Sequence, residues 1–245
     1  MERWIGKVAV VTGASSGIGA VIARELAKAG MVTVGLARRV ERVEAIKSQL
    51  DKDRASKLHA LRCDVSKESD IVSVFEEIEK RFGGVDVLIN NAGVVRDTAL
   101  FRDDGAQLLR DILDTNVIGL TLCSRKALKS MKERSVDGHI IHINSIAGHR
   151  VLNFPHMNMY SASKFAVTAI TETMRNELRE MKSKVKVTSV SPGVVKTEIV
   201  DGLDDHRDFP KLECEDIANA VLYALGTPPH VQVHEIIIKP VGEAF

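Results

Sequence analysis

The stretch Val8-Ala9-Val10-Val11-Thr12-Gly13-Ala14-Ser15-Ser16-Gly17-Ile18-Gly19 decides the fold. Residues 8–11 form a short, continuously apolar run of the kind a strand needs when both its faces are covered. A glycine-rich turn, a helical stretch over 20–29 and a second apolar run over 32–36 follow, which is the start of a βαβ unit. In such a turn the glycines serve a tight bend, close approach of backbone to a phosphate, and close packing of helix on sheet. The helix start adds free N–H groups and a positive dipole end. Gly13, Ser15, Ser16, Gly17, Ile18 and Gly19 are therefore candidate contacts for a pyrophosphate. Gly13-Ala14-Ser15-Ser16-Gly17 also fits the G-x-S-x-G of a hydrolase nucleophile elbow, but the oxyanion hole of that site needs an earlier strand and loop. A phosphate-binding P-loop would need Lys and Ser/Thr after its last glycine, and neither is there.

Five more apolar runs follow, at 58–61, 85–89, 139–143, 185–190 and 235–238, each separated from the next by longer stretches. Helical spacing recurs in Ile71, Val74, Phe75, Ile78 and Phe82, in Leu108, Leu109, Ile112 and Leu113, and in Phe165, Ala166, Ala169, Met174 and Leu178. Seven strands alternating with helices predict an α/β chain with a doubly wound, Rossmann-type, seven-stranded parallel sheet. Such a sheet collects its ligands at the carboxyl ends of its strands. The 245 residues carry no repeat or linker, so residues 1–245 are expected to form one domain.

The second strand bears on cofactor choice. An NAD site would place an acid near its end, but the sequence there is Leu36-Ala37-Arg38-Arg39. Two guanidiniums suit a 2′-phosphate through bidentate, charge-assisted hydrogen bonds, so NADP is expected over NAD. Farther on come Asn116 in a helical stretch, Ser145 directly after the fifth strand, and Tyr160 with Lys164. The last two are four apart, and so on one helix face. A neighbouring ammonium is expected to lower the phenol's pKa and make Tyr160 a usable proton donor or acceptor, while Ser145 orients the substrate oxygen.

Together these motifs resemble the short-chain dehydrogenase/reductase family over essentially the whole chain: Thr12-Gly13-x3-Gly17-x-Gly19, Cys63-Asp64-Val65, Asn90-Asn91-Ala92-Gly93, Asn116, Ser145, Tyr160-x3-Lys164 and Ser191-Pro192-Gly193. The resemblance implies that Asn116, Ser145, Tyr160 and Lys164 are catalytic, with Asn116 anchoring a water in a proton relay to Lys164. It further implies that Asp64 and Val65 contact adenine and that Asn90, Asn91, Ala92 and Gly93 line the cofactor cleft. Tyr160 and Lys164 would also lie against the cofactor, with Lys164 holding the nicotinamide ribose. Pro192, Gly193, Val195 and Thr197 would hold its nicotinamide end. Ser16 stands where the family's other basic residue would sit, which leaves the 2′-phosphate to Arg38 and Arg39.

Within the family, the start Met1-Glu2-Arg3-Trp4 and the segments 35–42 and 148–152 resemble insect farnesol dehydrogenase-like members and a related vertebrate cytosolic keto-steroid reductase. They imply an apolar alcohol and its carbonyl partner. The alternatives are a broad carbonyl or keto-steroid reductase and, from another class, a non-catalytic NADPH-binding sensor. Val151, Leu152, Phe154, Met157 and Met159, with Val194, Ile199, Val200 and Leu203, would form an apolar mouth, and its methionines would make it adaptable.

The charge sum of 34 basic against 33 acidic residues offers no field for nucleic acid or an anionic membrane. Cys63, Cys123 and Cys214 have no metal or redox spacing, and no signal segment is evident, so a cytoplasmic location without a metal is expected. His139 and His142, three apart on a strand, would face opposite sides, and His149 and His156 read as loop histidines. The mixed-charge runs 102–104 and 201–208 read as solvated, the second also as a lid. Family resemblance implies a homodimer or homotetramer through the helices that carry Asn116 and Tyr160.

Overall fold

All seven apolar runs become strands. The computed structural model describes residues 1–97, 99–101, 104–152, 157–201 and 210–243. The strands β1 (Val8–Thr12), β2 (Val32–Ala37), β3 (Leu58–Arg62), β4 (Val87–Asn90), β5 (His139–Ile143), β6 (Lys186–Pro192) and β7 (Glu235–Ile238) pair in the order β3-β2-β1-β4-β5-β6-β7. Every pairing is parallel. The run at 85–89 joins the ladder two residues late. Ahead of it the Asp86 carboxylate accepts from Val8 N–H at 2.8 Å and Val85 N–H donates to Ser130 Oγ at 3.0 Å, so side chains add to the backbone bonds that Asp86 makes with Val8 O and His139 N–H.

Between the strands lie α1 (Gly17–Lys28), α2 (Val40–Ala45), α3 (Lys52–Ala55), α4 (Glu68–Phe82), α5 (Ala106–Leu113), α6 (Leu120–Glu133), α7 (Asn158–Glu180), α8 (Glu198–Asp201) and α9 (Cys214–Gly226). Because β1 is covered on both faces, its residues alternate between two cores. Ala9 and Val11 join Ile22 and Leu26 of α1 and Val221 of α9, while Val8 and Val10 join Ile71 and Ile78 of α4 and Met131 of α6. Full burial of each large side chain contributes about 1.5–3 kcal/mol of transfer free energy. The result is a single Rossmann-type domain with helices on both sides of the sheet.

Helix α7 carries the helical spacing read from the sequence, with part of its apolar set facing outward. Phe165 is 41% exposed and Ala169 is also exposed, whereas Ser163, Lys164, Val167 and Thr171 are buried. This helix turns polar groups inward to meet partners at the strand ends. Between α5 and α6 the segment Asp114–Gly119 adopts π-helical bonding, an insertion that often marks functional sites.

Where the chain leaves β1 and its neighbour β4 in opposite directions along the sheet, a crevice opens at their carboxyl ends. Among the described residues, no helix is long and apolar enough to cross a membrane.

Candidate active site

The carboxyl edge of the sheet gathers the sequence-predicted residues. After β1, Gly13 takes a left-handed φ of +68°, and a Cβ there would lie 2.8 Å from Ala92 Cα, so only glycine fits. The glycine turn is fastened to the end of β4. Asn91 Nδ2 donates to Thr12 O at 3.0 Å and Gly13 O at 3.2 Å, and Thr12 Oγ1 accepts from the N–H groups of Asn91 and Ala92, both at 3.0 Å. Asn91 is therefore a brace of the turn, and Ser16 is the N-cap from which α1 opens its first N–H groups toward the crevice. Asn90 is buried and donates to Ser124 Oγ at 2.8 Å.

Past β2, Arg38 and Arg39 are exposed. Arg39 Nη2 lies 3.4 Å from Ser16 Oγ, so the guanidinium covers the place where a second basic residue was missed. It also donates to Glu198 Oε2 at 3.2 Å, and Arg42 donates to Glu198 Oε1 at 2.7 Å. Past β3, Asp64 accepts from Ser66 N–H and Oγ–H, and these bonds with the nearby Arg38 charge hold its carboxyl low against the opposing effect of burial. Val65 is buried beside it.

Ser145 follows β5. Its Oγ accepts from Ala147 N–H at 3.1 Å, so the residue is a cap, and it also hydrogen-bonds the Tyr160 hydroxyl. Asn144 fixes this loop by donating from Nδ2 to Thr168 Oγ1 at 2.9 Å, and Thr168 in turn donates to Gly148 O at 3.0 Å.

Lys164, one turn after Tyr160, is 6% exposed. Its Nζ donates to Ile143 O at 2.9 Å and lies 5.6 Å from the centroid of the Tyr160 ring. Burial pushes the ammonium down to about 8. Tyr160 corrects an expectation: its phenol is raised, because desolvation by burial outweighs the Ser145 hydrogen bond.

Asn116, in the π-helical segment, ties three pieces together. Its Oδ1 accepts from Val94 N–H at 2.8 Å, and its Nδ2 donates to Val94 O at 3.0 Å and to Ser163 Oγ at 3.1 Å. Ser163 donates onward to Tyr160 O at 2.7 Å. The side-chain amide is thus spent on structure. Gly93 lies beside it, since a Cβ there would sit 3.5 Å from Asn116 Oδ1.

Pro192 ends β6, Val195 is buried, and Thr197 Oγ1 donates to Val195 O at 3.3 Å. Sequence reading missed what holds this turn. The Glu243 carboxylate is fully buried, accepts from Val194 N–H at 3.1 Å, pairs with Lys239 at 3.2 Å and packs against Gly193. No local pattern marks a lone acid 49 residues downstream.

Of the apolar mouth, Met157 is buried, Leu152, Met159 and Val194 are half-buried, and Val151 and Ile199 are 76% and 45% exposed. Phe154, Leu203 and the side chain of Val200 lie outside the described residues, as do His156, the pair 102–103 and the proposed lid over 202–208. His149 is more than a loop histidine: its Nε2 is 2.9 Å from Ser191 Oγ and 3.5 Å from Glu235. His139 and His142 are buried apart, against Thr188 and Thr171, and burial pushes each down to about 3. Among the described residues no cluster of metal-ligating side chains forms.

The arrangement can hold an anion at the glycine turn, orient a C–O group through Ser145 and exchange a proton with it through Tyr160. The sequence profile described as short chain dehydrogenase matches residues 7–208. Farnesol dehydrogenase of Aedes aegypti is 66% identical over 245 residues, covering all of both chains. Dehydrogenase/reductase SDR family member 11 of Homo sapiens is 43% identical over 251 residues, covering 98% of this chain and 96% of that one. The solved alcohol dehydrogenase of the archaeon Thermococcus sibiricus, complexed with 5-hydroxy-NADP, superposes with a TM-score of 0.85 at 30% identity, covering 96% of this chain and 97% of that one. With the profile spanning most of the chain and relatives aligned end to end, the protein belongs to the short-chain dehydrogenase family.

Proposed function

We propose that the protein is an NADP(H)-dependent oxidoreductase that interconverts an apolar, farnesol-like isoprenoid alcohol and its carbonyl. The observation that carries the chemistry is the Tyr160 hydroxyl bonded to Ser145, with the Lys164 ammonium against its ring. The substrate class is supported by the 66% identity to farnesol dehydrogenase and by the apolar residues Val151, Met159 and Ile199 at the mouth.

The residues fit the cofactor. The crevice has a glycine-rich turn at a helix start, and Arg39 and Arg42 already share a carboxylate, so the site takes an anion beside where a 2′-phosphate would bind. Gly13, Ser15, Ser16, Gly17, Ile18 and Gly19 would hold the pyrophosphate, Arg38 and Arg39 the 2′-phosphate, and Asp64 and Val65 the adenine. Gly93, Pro192, Gly193, Val195 and Thr197 would frame the nicotinamide end. When bound, the nicotinamide supplies or accepts the hydride.

In the reducing direction Ser145 Oγ holds the substrate oxygen and Tyr160 Oη gives it a proton. A phenol raised by burial stays protonated at neutral pH and is ready for that step. In the oxidising direction Tyr160 Oη takes the proton back. Lys164, fixed by Ile143 O and held near 8, supplies a positive charge that favours the phenolate. A water on Asn116 would be held by its main chain, because the amide is engaged. The exposed Ile118 and Phe165 on the segments that carry Asn116 and Tyr160 support a homodimer or homotetramer, and three free cysteines support a cytosolic location.

Turnover of farnesol with NADP+ and NAD+, beside diketone and steroid reduction with NADPH, tests the reading. The expected outcome is farnesol oxidation with NADP+ at the highest kcat/KM. Faster steroid or diketone reduction would favour a broad carbonyl reductase, and no turnover in any arm would favour a cofactor sensor.

A further inference from the structure

The Glu198 carboxylate stands on Arg39, one of the two arginines that would receive the cofactor's extra phosphate, and on Arg42 one turn farther along. It belongs to α8, directly after Thr197, yet it pairs with Arg39 at 3.2 Å and Arg42 at 2.7 Å, side chains 159 and 156 residues earlier in the chain. Thr197 explains the reach: its methyl lies 3.2 Å from where a Cβ on Gly17 would be, so the segment crosses the opening of α1 from the mouth to the end of β2. Arg39 also touches Ser16 at that opening. One carboxylate therefore links the substrate-side segment, the glycine turn and the basic pair.

We infer that Glu198 is a cofactor-specificity residue, a carboxylate that, anchored by Arg42, competes with the 2′-phosphate for Arg39 and is displaced from it when NADP(H) binds. This rests on the reading that the strand-end arginines receive that phosphate. Both anions seek the same fork of guanidinium N–H donors, and a phosphate offers more charge and more acceptor oxygens than a carboxylate. The resident pair is exposed on both sides and therefore weak, so displacement is cheap but not free. NAD(H) has no 2′-phosphate and leaves the pair in place. Glu198 thus narrows the preference for NADP(H). By linkage, bound NADP(H) releases the α8 segment at the mouth, whereas bound NAD(H) does not.

Calorimetric titration of the full chain with NADPH and NADH tests the proposal without relying on turnover. Glu198→Gln is expected to bind NADPH about two- to fivefold more tightly, the range of an exposed ion pair, with NADH binding unchanged. Glu44→Gln removes the same charge from α2, where Glu44 pairs with Lys47, and is expected to leave the NADPH/NADH ratio alone. Weaker NADPH binding by Glu198→Gln would overturn the inference by making the carboxylate a clasp over the cofactor. An equal gain for both cofactors, or a matching gain in Glu44→Gln, would overturn it by reducing the effect to net charge. Arg39→Ala examines the underlying reading separately: NADPH affinity is expected to fall about tenfold with NADH unaffected. If Arg39→Ala leaves the NADPH/NADH ratio as it is, the arginine reading fails. If Arg39→Ala shifts the ratio and Glu198→Gln does not, only the role of Glu198 fails.

Discussion

At the carboxyl edge of the sheet, Asn91, Asn116, Ser145 and Lys164 hold buried or half-buried partners from other segments, whereas Val151 and Ile199 at the mouth stand 76% and 45% exposed. The first region has one arrangement because moving any member leaves a desolvated polar group unpaired, at about 1–3 kcal/mol each. The second is bounded by side chains that lose little by moving. On the proposed reading, reaction chemistry is fixed by the sheet edge, while substrate choice lies in segments free to vary.

Variants sharpen this contrast in order of effect. Tyr160→Phe removes the proton-carrying group but keeps the ring, so kcat should fall by about 10²–10⁴ while NADPH affinity by calorimetry stays within a few fold. A small loss would break the contrast at its strongest point. Arg38→Asp, at the exposed end of β2, should shift the ratio of kcat/KM for NADP+ over NAD+ toward NAD+ by a factor of about 10 or more. Glu243→Gln leaves Val194 N–H with a neutral acceptor and Lys239 without its partner. Because this residue positions the Pro192-Gly193 turn, KM for the cofactor should rise about three- to tenfold with kcat changed less, a split that general destabilisation would not produce. Val151→Ala, at the mouth, should change kcat/KM for an isoprenoid alcohol by about threefold or less. If it cost more than Glu243→Gln, the mouth would be as fixed as the floor.

How much of this was legible in the sequence follows the same division. The strands and glycine turn are written in runs of adjacent residues, and Tyr160 and Lys164 in a four-residue spacing, so both could be read directly. What could not be read depends on distant partners. The helical spacing of α7 is visible, but not which face turns inward, because the reason to bury Ser163 is Asn116, which lies 47 residues away. Glu198 and Glu243 look like ordinary surface acids until the fold brings them to Arg39 and Val194. The direction of the Tyr160 shift was misjudged because a sequence shows the neighbouring ammonium but not the depth of burial.

The central claim is that the Tyr160 hydroxyl is the proton-exchanging group of this cleft, and the ionisation of that phenol tests it most directly. The chain has two tyrosines and Tyr223 is 65% exposed, so tyrosinate absorbance in Tyr223→Phe reports Tyr160 alone. Without cofactor the phenol should ionise above its ordinary value of 10.0. With saturating NADP+, whose nicotinamide is positively charged, it should ionise at lower pH than without. A phenol that titrates near 10.0 in the free protein and does not respond to NADP+ would contradict the account.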